Sequence, residues 1–230
     1  MRCLFCHEPF IEKPSWQRLF MLEAPSVICE RCEEKLEPLS GVRCVRCSRP
    51  LTATNSEKCV DCIRWDERLK GDVLERNVSL YRYNAALKEW LATFKYRGDA
   101  EIATFFAEKL FAQYIRHFRS YFPVEIPLSR ERLSARGFNQ SVLLMKGWAE
   151  ETNVLLRRDG KKQSKRTRSE RLAQFSENPF HINEEKAATI RGKNIVLIDD
   201  IYTTGTTVRQ AALVLKRHGA THVASLTIAR

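Results

Sequence analysis

No cysteine occurs after residue 62 of this 230-residue chain, and no apolar stretch approaches the ~20 residues that a membrane span requires. The first ten residues, MRCLFCHEPF, lack the apolar core of a secretory signal. Membrane insertion and export are therefore not expected, and the chain reads as a cytoplasmic protein. Acidic charge is also scarce: 28 Asp/Glu stand against 39 Lys/Arg. The shortfall is uneven, since residues 1–70 hold 12 basic and 11 acidic side chains whereas residues 71–230 hold 27 and 17. The positive excess belongs to the C-terminal part, as a phosphate-rich ligand or a nucleic acid requires. A hydrophobic content of 43% is enough to bury a core, and the length suits one ordinary domain plus a small one.

The eight cysteines form four C-x-x-C pairs: Cys3/Cys6, Cys29/Cys32, Cys44/Cys47 and Cys59/Cys62. Each pair can make a knuckle whose two thiolates face one tetrahedral metal, and two knuckles complete a four-cysteine site. A disulfide framework competes with this reading but needs an oxidising compartment, to which nothing here leads. A redox role is the other alternative, and four copies in so short a stretch favour structure over catalysis. Successive knuckles are separated by 22, 11 and 11 residues. Sequential pairing, with Cys3, Cys6, Cys29 and Cys32 at one Zn²⁺ and Cys44, Cys47, Cys59 and Cys62 at a second, is the expectation; an interleaved cross-brace is the alternative. Apolar residues are few here, so metal is expected to supply much of the folding free energy. His7, beside Cys6, reads as a bystander because four cysteines already complete each site.

The most informative stretch is Lys193–Thr207, KNIVLIDDIYTTGTT. Four consecutive apolar residues, Ile195–Ile198, suit a fully buried parallel strand and end in Asp199 and Asp200. A short turn follows, then an amphipathic helix that stops at Gly219, then a strand over Thr221–Ile228. This strand–loop–helix–strand order sets two carboxylates at the carboxyl end of a strand, where open α/β sheets bind ligands. Thr203, Thr204, Gly205, Thr206 and Thr207 bring small side chains and free N–H groups to a helix N-terminus, which favours a phosphate. Two acids beside an anion site make sense for a sugar phosphate, with the carboxylates on ribose hydroxyls and the loop on the 5′-phosphate.

Elsewhere, residues 63–75 read as a charged connector and Val78–Tyr83 as a strand that sets Val78, Leu80 and Tyr83 against Ser79 and Arg82. Asn84 caps a helix with an apolar stripe at Leu87, Trp90, Leu91 and Phe94, and Asp99 a second helix over Ala100–Phe118 that turns Ile102, Phe105, Phe106, Leu110 and Ile115 inward. Pro123–Leu128 reads as a strand running into a loop that carries Ser129, Arg130, Arg132 and Arg136, with a helix beyond it to about Glu151. Arg157–Arg171, RRDGKKQSKRTRSER, is too polar to bury and precedes a short helix near Arg168–Phe175.

The run VLIDDIYTTGTT resembles the phosphoribosyl-pyrophosphate (PRPP) motif of type I phosphoribosyltransferases. The Cys-rich knuckles, FKYRGD, PLSRERLSARGFNQS, the basic stretch with Gln174-Phe175 and Asn178-Pro179-Phe180, and that motif together resemble the ComF family of competence proteins over nearly the whole chain. The resemblance implies an α/β fold, a type I phosphoribosyltransferase-like parallel sheet flanked by helices, behind a small Cys-rich zinc-ribbon domain. The domains expected are 1–65 (double zinc ribbon), 66–75 (connector) and 76–230 (phosphoribosyltransferase-like). It implies PRPP with Mg²⁺ at Asp199, Asp200, Thr203–Thr207, Ser129 and Arg130, with Asp199 and Asp200 in the catalytic role. Arg132, Arg136, Lys165, Arg166, Arg168 and Arg171 would meet pyrophosphate, by loop closure over the reacting centre, or DNA, through phosphate charge. The implied biology is uptake of transforming DNA, with single-stranded DNA and a DEAD-box-like ATPase as partners and recruitment to the inner face of the membrane by that machinery.

Three departures leave the enzyme reading open. Purine salvage enzymes carry an Asp where this chain has Thr203. The chain ends at Arg230, leaving no segment beyond the last strand to hold a nucleobase, and residue 2 is Arg where a glutamine amidotransferase needs an N-terminal Cys. An acceptor is then expected to meet the zinc segment, folded over the PRPP site, or the basic loop. A phosphoribosyltransferase of unknown acceptor, a non-catalytic DNA-binding module or scaffold for the uptake ATPase, and a nucleobase salvage enzyme are the three readings carried forward.

Overall fold

The computed structural model describes residues 1–11, 16, 26–52, 56–97, 100–159 and 177–230. In chain order its elements are helices α1 (Glu30–Glu33) and α2 (Val60–Leu69), strand β1 (Asn77–Tyr81), helices α3 (Ala85–Arg97) and α4 (Ala100–Phe118), strand β2 (Phe122–Glu125), helices α5 (Arg130–Arg136) and α6 (Gln140–Met145), strands β3 (Leu155–Arg157), β4 (Phe180–Ile182) and β5 (Asn194–Ile201), helix α7 (Thr206–Arg217) and strand β6 (His222–Ala229). Four strands form a parallel sheet in the order β1-β6-β5-β2, and β3 and β4 pair as an antiparallel hairpin. The fold is α/β, as expected.

The apolar run of β5 is continuous because both faces of the sheet are covered. Val196 and Ile198 pack into one core with α3, α4 and the first cysteine segment, through Cys3, Cys29 and Cys32. Ile195 and Leu197 pack into a second core with α7, the β3–β4 hairpin and Cys44, Cys47, Cys59 and Cys62. The two cysteine segments thus lie against opposite faces of one sheet. Phe5 stacks on Trp90 of α3 at 3.8 Å between ring centroids, which ties the first segment to that helix. The expected stripe Leu87, Trp90, Leu91 and Phe94 is buried, and Asn84 caps α3 by accepting from Leu87 N at 2.9 Å.

Several local expectations are corrected. Strand β1 buries Asn77, Ser79 and Tyr81, and only half-buries Val78 and Leu80, the reverse of the face that alternation predicts. The polar face is not solvated because the second cysteine segment covers it: Ser48 Oγ donates to Asn77 O (2.6 Å), Ser225 Oγ to Asn77 Oδ1 (2.9 Å), and Ser79 and Thr227 share a 2.7 Å hydroxyl bond. Buried polar groups persist when paired in this way. Residues 63–69 continue α2, and the stretch after it docks, with Leu74 1% exposed and Asp72 in a buried ion pair with Arg209. Ile115 of α4, expected inside, is 43% exposed. β2 stops at Glu125, whose carboxylate is buried and accepts from Thr152 and Asn153. α6 ends at Met145, short of Glu151. The predicted Asp99 cap and the helix near Arg168–Phe175 lie outside the described residues.

Candidate functional site

Strand β5 does not end before the two acids but carries them, because Asp199 stays in register with Thr227 and Ile201 with Ala229. Asp199 is half-buried and Asp200 is 8% exposed. Burial and the neighbouring Asp200 carboxylate push Asp199 up to about 7 from an ordinary 3.8, against Lys95, which lowers it. Lys95, in the last turn of α3, forms an ion pair with Asp200. Sequence reasoning missed Lys95; its only trace was its place inside the FKYRGD motif.

The turn after β5 is held from inside by its carbonyls. Arg230 Nη1 donates to Thr203 O at 2.8 Å and Trp65 Nε1 to Thr204 O at 2.9 Å. Arg230 also lies over the Tyr202 ring, and its guanidinium reaches Cys47 O (3.1 Å) and Cys47 Sγ (3.3 Å). Gly205, at φ +77, is the N-cap of α7, and Thr206 and Thr207 open the helix. Thr204 and Thr206 hydroxyls share a 2.9 Å bond. With the carbonyls bonded inward, the turn and the helix N-terminus can offer N–H donors to an anion, although Thr206 N also donates to Thr204 Oγ1 at 3.4 Å. A buried layer supports the turn. Arg209, with no exposed surface, grips Asp72 through Nε at 3.0 Å and Nη2 at 2.5 Å, donates to Tyr202 Oη at 2.5 Å and lies over the Trp65 ring. An Arg inside an amphipathic helix pattern reads as surface, so nothing in the sequence singled it out.

Ser129 is the N-cap of α5, accepting from Arg132 N at 3.4 Å. The expected arginine loop is therefore mostly helical: Arg130, Arg132 and Arg136 ride on α5, which Gly137 ends in a left-handed cap. Arg136 Nη1 donates to Gln140 Oε1 at 2.7 Å. Between α5 and the β3–β4 hairpin lies a cavity of about 510 Å³ lined by Arg130, Leu133, Phe138, Arg157 and His181 among others. Arg157, read from the sequence as the head of a basic stretch too polar to bury, instead ends strand β3 and is half-buried. Burial and Arg132 hold its guanidinium below its usual value and Asp199 acts in the opposite sense, so it sits electrostatically between the two candidate loops. Lys165, Arg166, Arg168 and Arg171 lie outside the described residues.

The cysteines assemble as sequential pairing predicts. Cys3, Cys6, Cys29 and Cys32 form one cluster and Cys44, Cys47, Cys59 and Cys62 the other, each with its sulfur atoms within 4.8 Å of one another. None is in a disulfide. The donor set fits a structural metal. Cys29 N donates to Cys3 Sγ and Cys59 N to Cys44 Sγ, both at 3.3 Å, the bonds that steady thiolate ligands. Cys44 is pushed below the thiol range, first by Cys47 and then by Cys59 and Cys62, while Cys47 and Cys62 are pushed above it, so the four sulfurs share protons as one set. Both clusters reach the site: the first through Phe5, Trp90 and α3, the second directly through Cys47 and Arg230. Among the described residues no helix is long and apolar enough to cross a membrane.

Known proteins resemble the chain in sequence. The phosphoribosyl transferase domain family matches residues 154–230, which span β3 to the last strand. The chain is 38% identical to the competence protein ComFC of Bacillus subtilis over 99% of its own length and 94% of that protein. It is 35% identical to the competence protein ComFC of Streptococcus pneumoniae over 66% of this chain and 67% of that one. It is also 30% identical to the DNA utilization protein YhgH of Salmonella typhimurium over 65% and 69% of the two chains.

Proposed function

The chain belongs to the ComFC family of competence proteins, and from that premise we propose that it binds PRPP with Mg²⁺ and acts in DNA uptake during natural transformation, with a basic surface for single-stranded DNA. The observation that carries the ribose-phosphate part is the turn at Thr203–Gly205, whose carbonyls are bonded inward beside the half-buried Asp199 and the buried Asp200. Asp199 and Asp200 accept from the ribose hydroxyls, Thr203–Thr207 hold the 5′-phosphate, and Ser129, Arg130, Arg132 and Arg136 face the pyrophosphate end. Mg²⁺, when bound, offsets the charge of the leaving pyrophosphate. Two structural Zn²⁺ ions, one per four-cysteine set, hold the cysteine segments on the two faces of the sheet. The uptake ATPase is the proposed protein partner.

A calorimetric titration of PRPP, with and without Mg²⁺, against the parent and the Asp199→Asn/Asp200→Asn variant tests the reading. Binding by the parent alone supports it; equal binding, or none by either, removes the ribose-phosphate role. Thr203, which cannot act as a base at neutral pH, favours one second reading: a site that senses PRPP without turnover. Pyrophosphate release across acceptors, DNA included, separates the two.

A pH dependence follows from Asp199. Its folded pKa of about 7 lies above the ordinary 3.8, so it becomes a full acceptor only as pH rises through 7. PRPP affinity is expected to increase between pH 6 and 8, and Lys95→Met to move the midpoint upward because Lys95 lowers this pKa. The sign for stability is opposite. The folded state holds the proton more tightly, so the contribution present at low pH is lost as pH rises through the folded pKa. Asp199→Asn should thus raise the Tm at pH 8 while weakening PRPP binding; a lower Tm at that pH would contradict the assignment.

A further inference from the structure

Strand β1 forms one side edge of the sheet, at the opposite end from β2. Beside it runs an open groove of about 680 Å³, walled by residues 38–48 and by helix α4. Five basic side chains line it, Arg43, Arg76, Lys109, Arg116 and His117, and among the described residues no Asp or Glu does. Arg43 and Arg116 are exposed. The charges converge: burial, then Arg76, Arg116 and Arg43, hold the His117 imidazole below its usual pKa. Arg76 spends Nη2 on His117 O at 3.0 Å, while its buried Nε has no acceptor. Concentrating like charge in one trough is unfavourable unless an anion occupies it.

The backbone around the groove narrows the occupant. A peptide could add to the free edge of a sheet, but this edge is taken. Asn77 N donates to Arg46 O, Leu39 N to Leu80 O, and Arg82 N to Glu37 O, all between 2.8 and 3.0 Å. A bilayer needs a flat or protruding face, whereas this is a trough between a helix and a loop. A duplex is too wide for a floor one strand across. The remaining polyanion is a single strand.

We propose that the β1–α4 groove holds the sugar–phosphate backbone of single-stranded nucleic acid. The inference rests on the DNA part of the function proposed above, but moves the contact away from the Lys165–Arg171 cluster and the ribose-phosphate turn.

The test is fluorescence anisotropy of a labelled oligothymidylate at several salt concentrations, with the full-length protein. The variants are Arg43→Glu/Arg116→Glu, Arg43→Lys/Arg116→Lys and Lys165→Glu/Arg166→Glu. Losing two phosphate contacts should lower affinity at least tenfold and flatten the log–log salt slope by about 1.4, at roughly 0.7 per contact for single strands. The lysine pair should keep most of the affinity and slope, the Lys165→Glu/Arg166→Glu variant should bind oligothymidylate as the parent does, and PRPP binding should be unchanged in both Arg43/Arg116 variants. A parent that binds while the glutamate pair at 43 and 116 binds equally well overturns the groove and leaves the DNA reading standing. A parent that binds no oligothymidylate overturns both. Competition by phosphatidylserine vesicles or duplex DNA as strong as by the single strand would overturn the choice of occupant.

Discussion

Arg230→Gln and Cys47→Ser are expected to weaken PRPP binding five- to a hundredfold or so, corresponding to about 1–3 kcal/mol for a turn carbonyl left without its donor. The reason is the double role of one guanidinium. Arg230 bonds Thr203 O on one side and Cys47 O and Sγ on the other, so one guanidinium joins the second cysteine cluster to the Thr203–Gly205 turn. Trp65, three residues past Cys62, adds the bond to Thr204 O. If the second cluster holds the proposed Zn²⁺, chelating it is expected to release both supports together. Cys6→Ser, in the first cluster, should cost much less, because that cluster reaches the site only through Phe5, Trp90 and α3. Calorimetry of PRPP with each variant checks the ranking, and hydrogen exchange at residues 203–205 reads the turn without any ligand. Equal losses from the two clusters, with unchanged exchange in the turn, would mean that Arg230 and the second cluster support only the fold.

Gly205→Ala should be the most damaging glycine-to-alanine substitution among the described residues. At φ +77 a side chain is strained, and a Cβ there would lie 2.1 Å from Arg209 Nη1, 2.2 Å from Tyr202 Oη and 2.5 Å from Tyr202 Cζ. Neither neighbour can yield: Arg209 is held by Asp72 and Tyr202, and Tyr202 is 3% exposed. Left-handed strain of about 1–2 kcal/mol and overpacking of about 1–3 kcal/mol together predict a loss of about 2–5 kcal/mol, along with PRPP binding. Gly137→Ala is the control. It has nearly the same φ, +78, but nothing within 4 Å of the added carbon, so only the backbone part applies. Denaturant midpoints for the two variants separate steric from conformational cost. Comparable midpoints would show that the turn can move aside.

The sequence by itself determined the parts whose signals are local. Ile195–Ile198 followed by two acids and a Thr/Gly turn declared a buried parallel strand, a turn and a helix. Four C-x-x-C pairs declared two four-cysteine sets, and the spacing already pointed to sequential pairing. The apolar stripe of α3 and the cap at Asn84 were equally readable, because helix periodicity and capping act over a few residues.

Tertiary structure decided everything that depends on what covers a surface. Alternation in β1 pointed to the wrong face, since the second cysteine segment buries Asn77 and Ser79 with their hydrogen bonds made. Lys95 meets Asp200 across 105 positions of chain, and Trp65 meets Thr204 across 139. Arg209 looked like helix surface and proved to be the buried post behind the turn. A charged or polar side chain announces its chemistry in the sequence but not its partner. Burial of such a group is tolerable only when a distant segment supplies the matching donor or acceptor, and only the folded chain brings that segment into place.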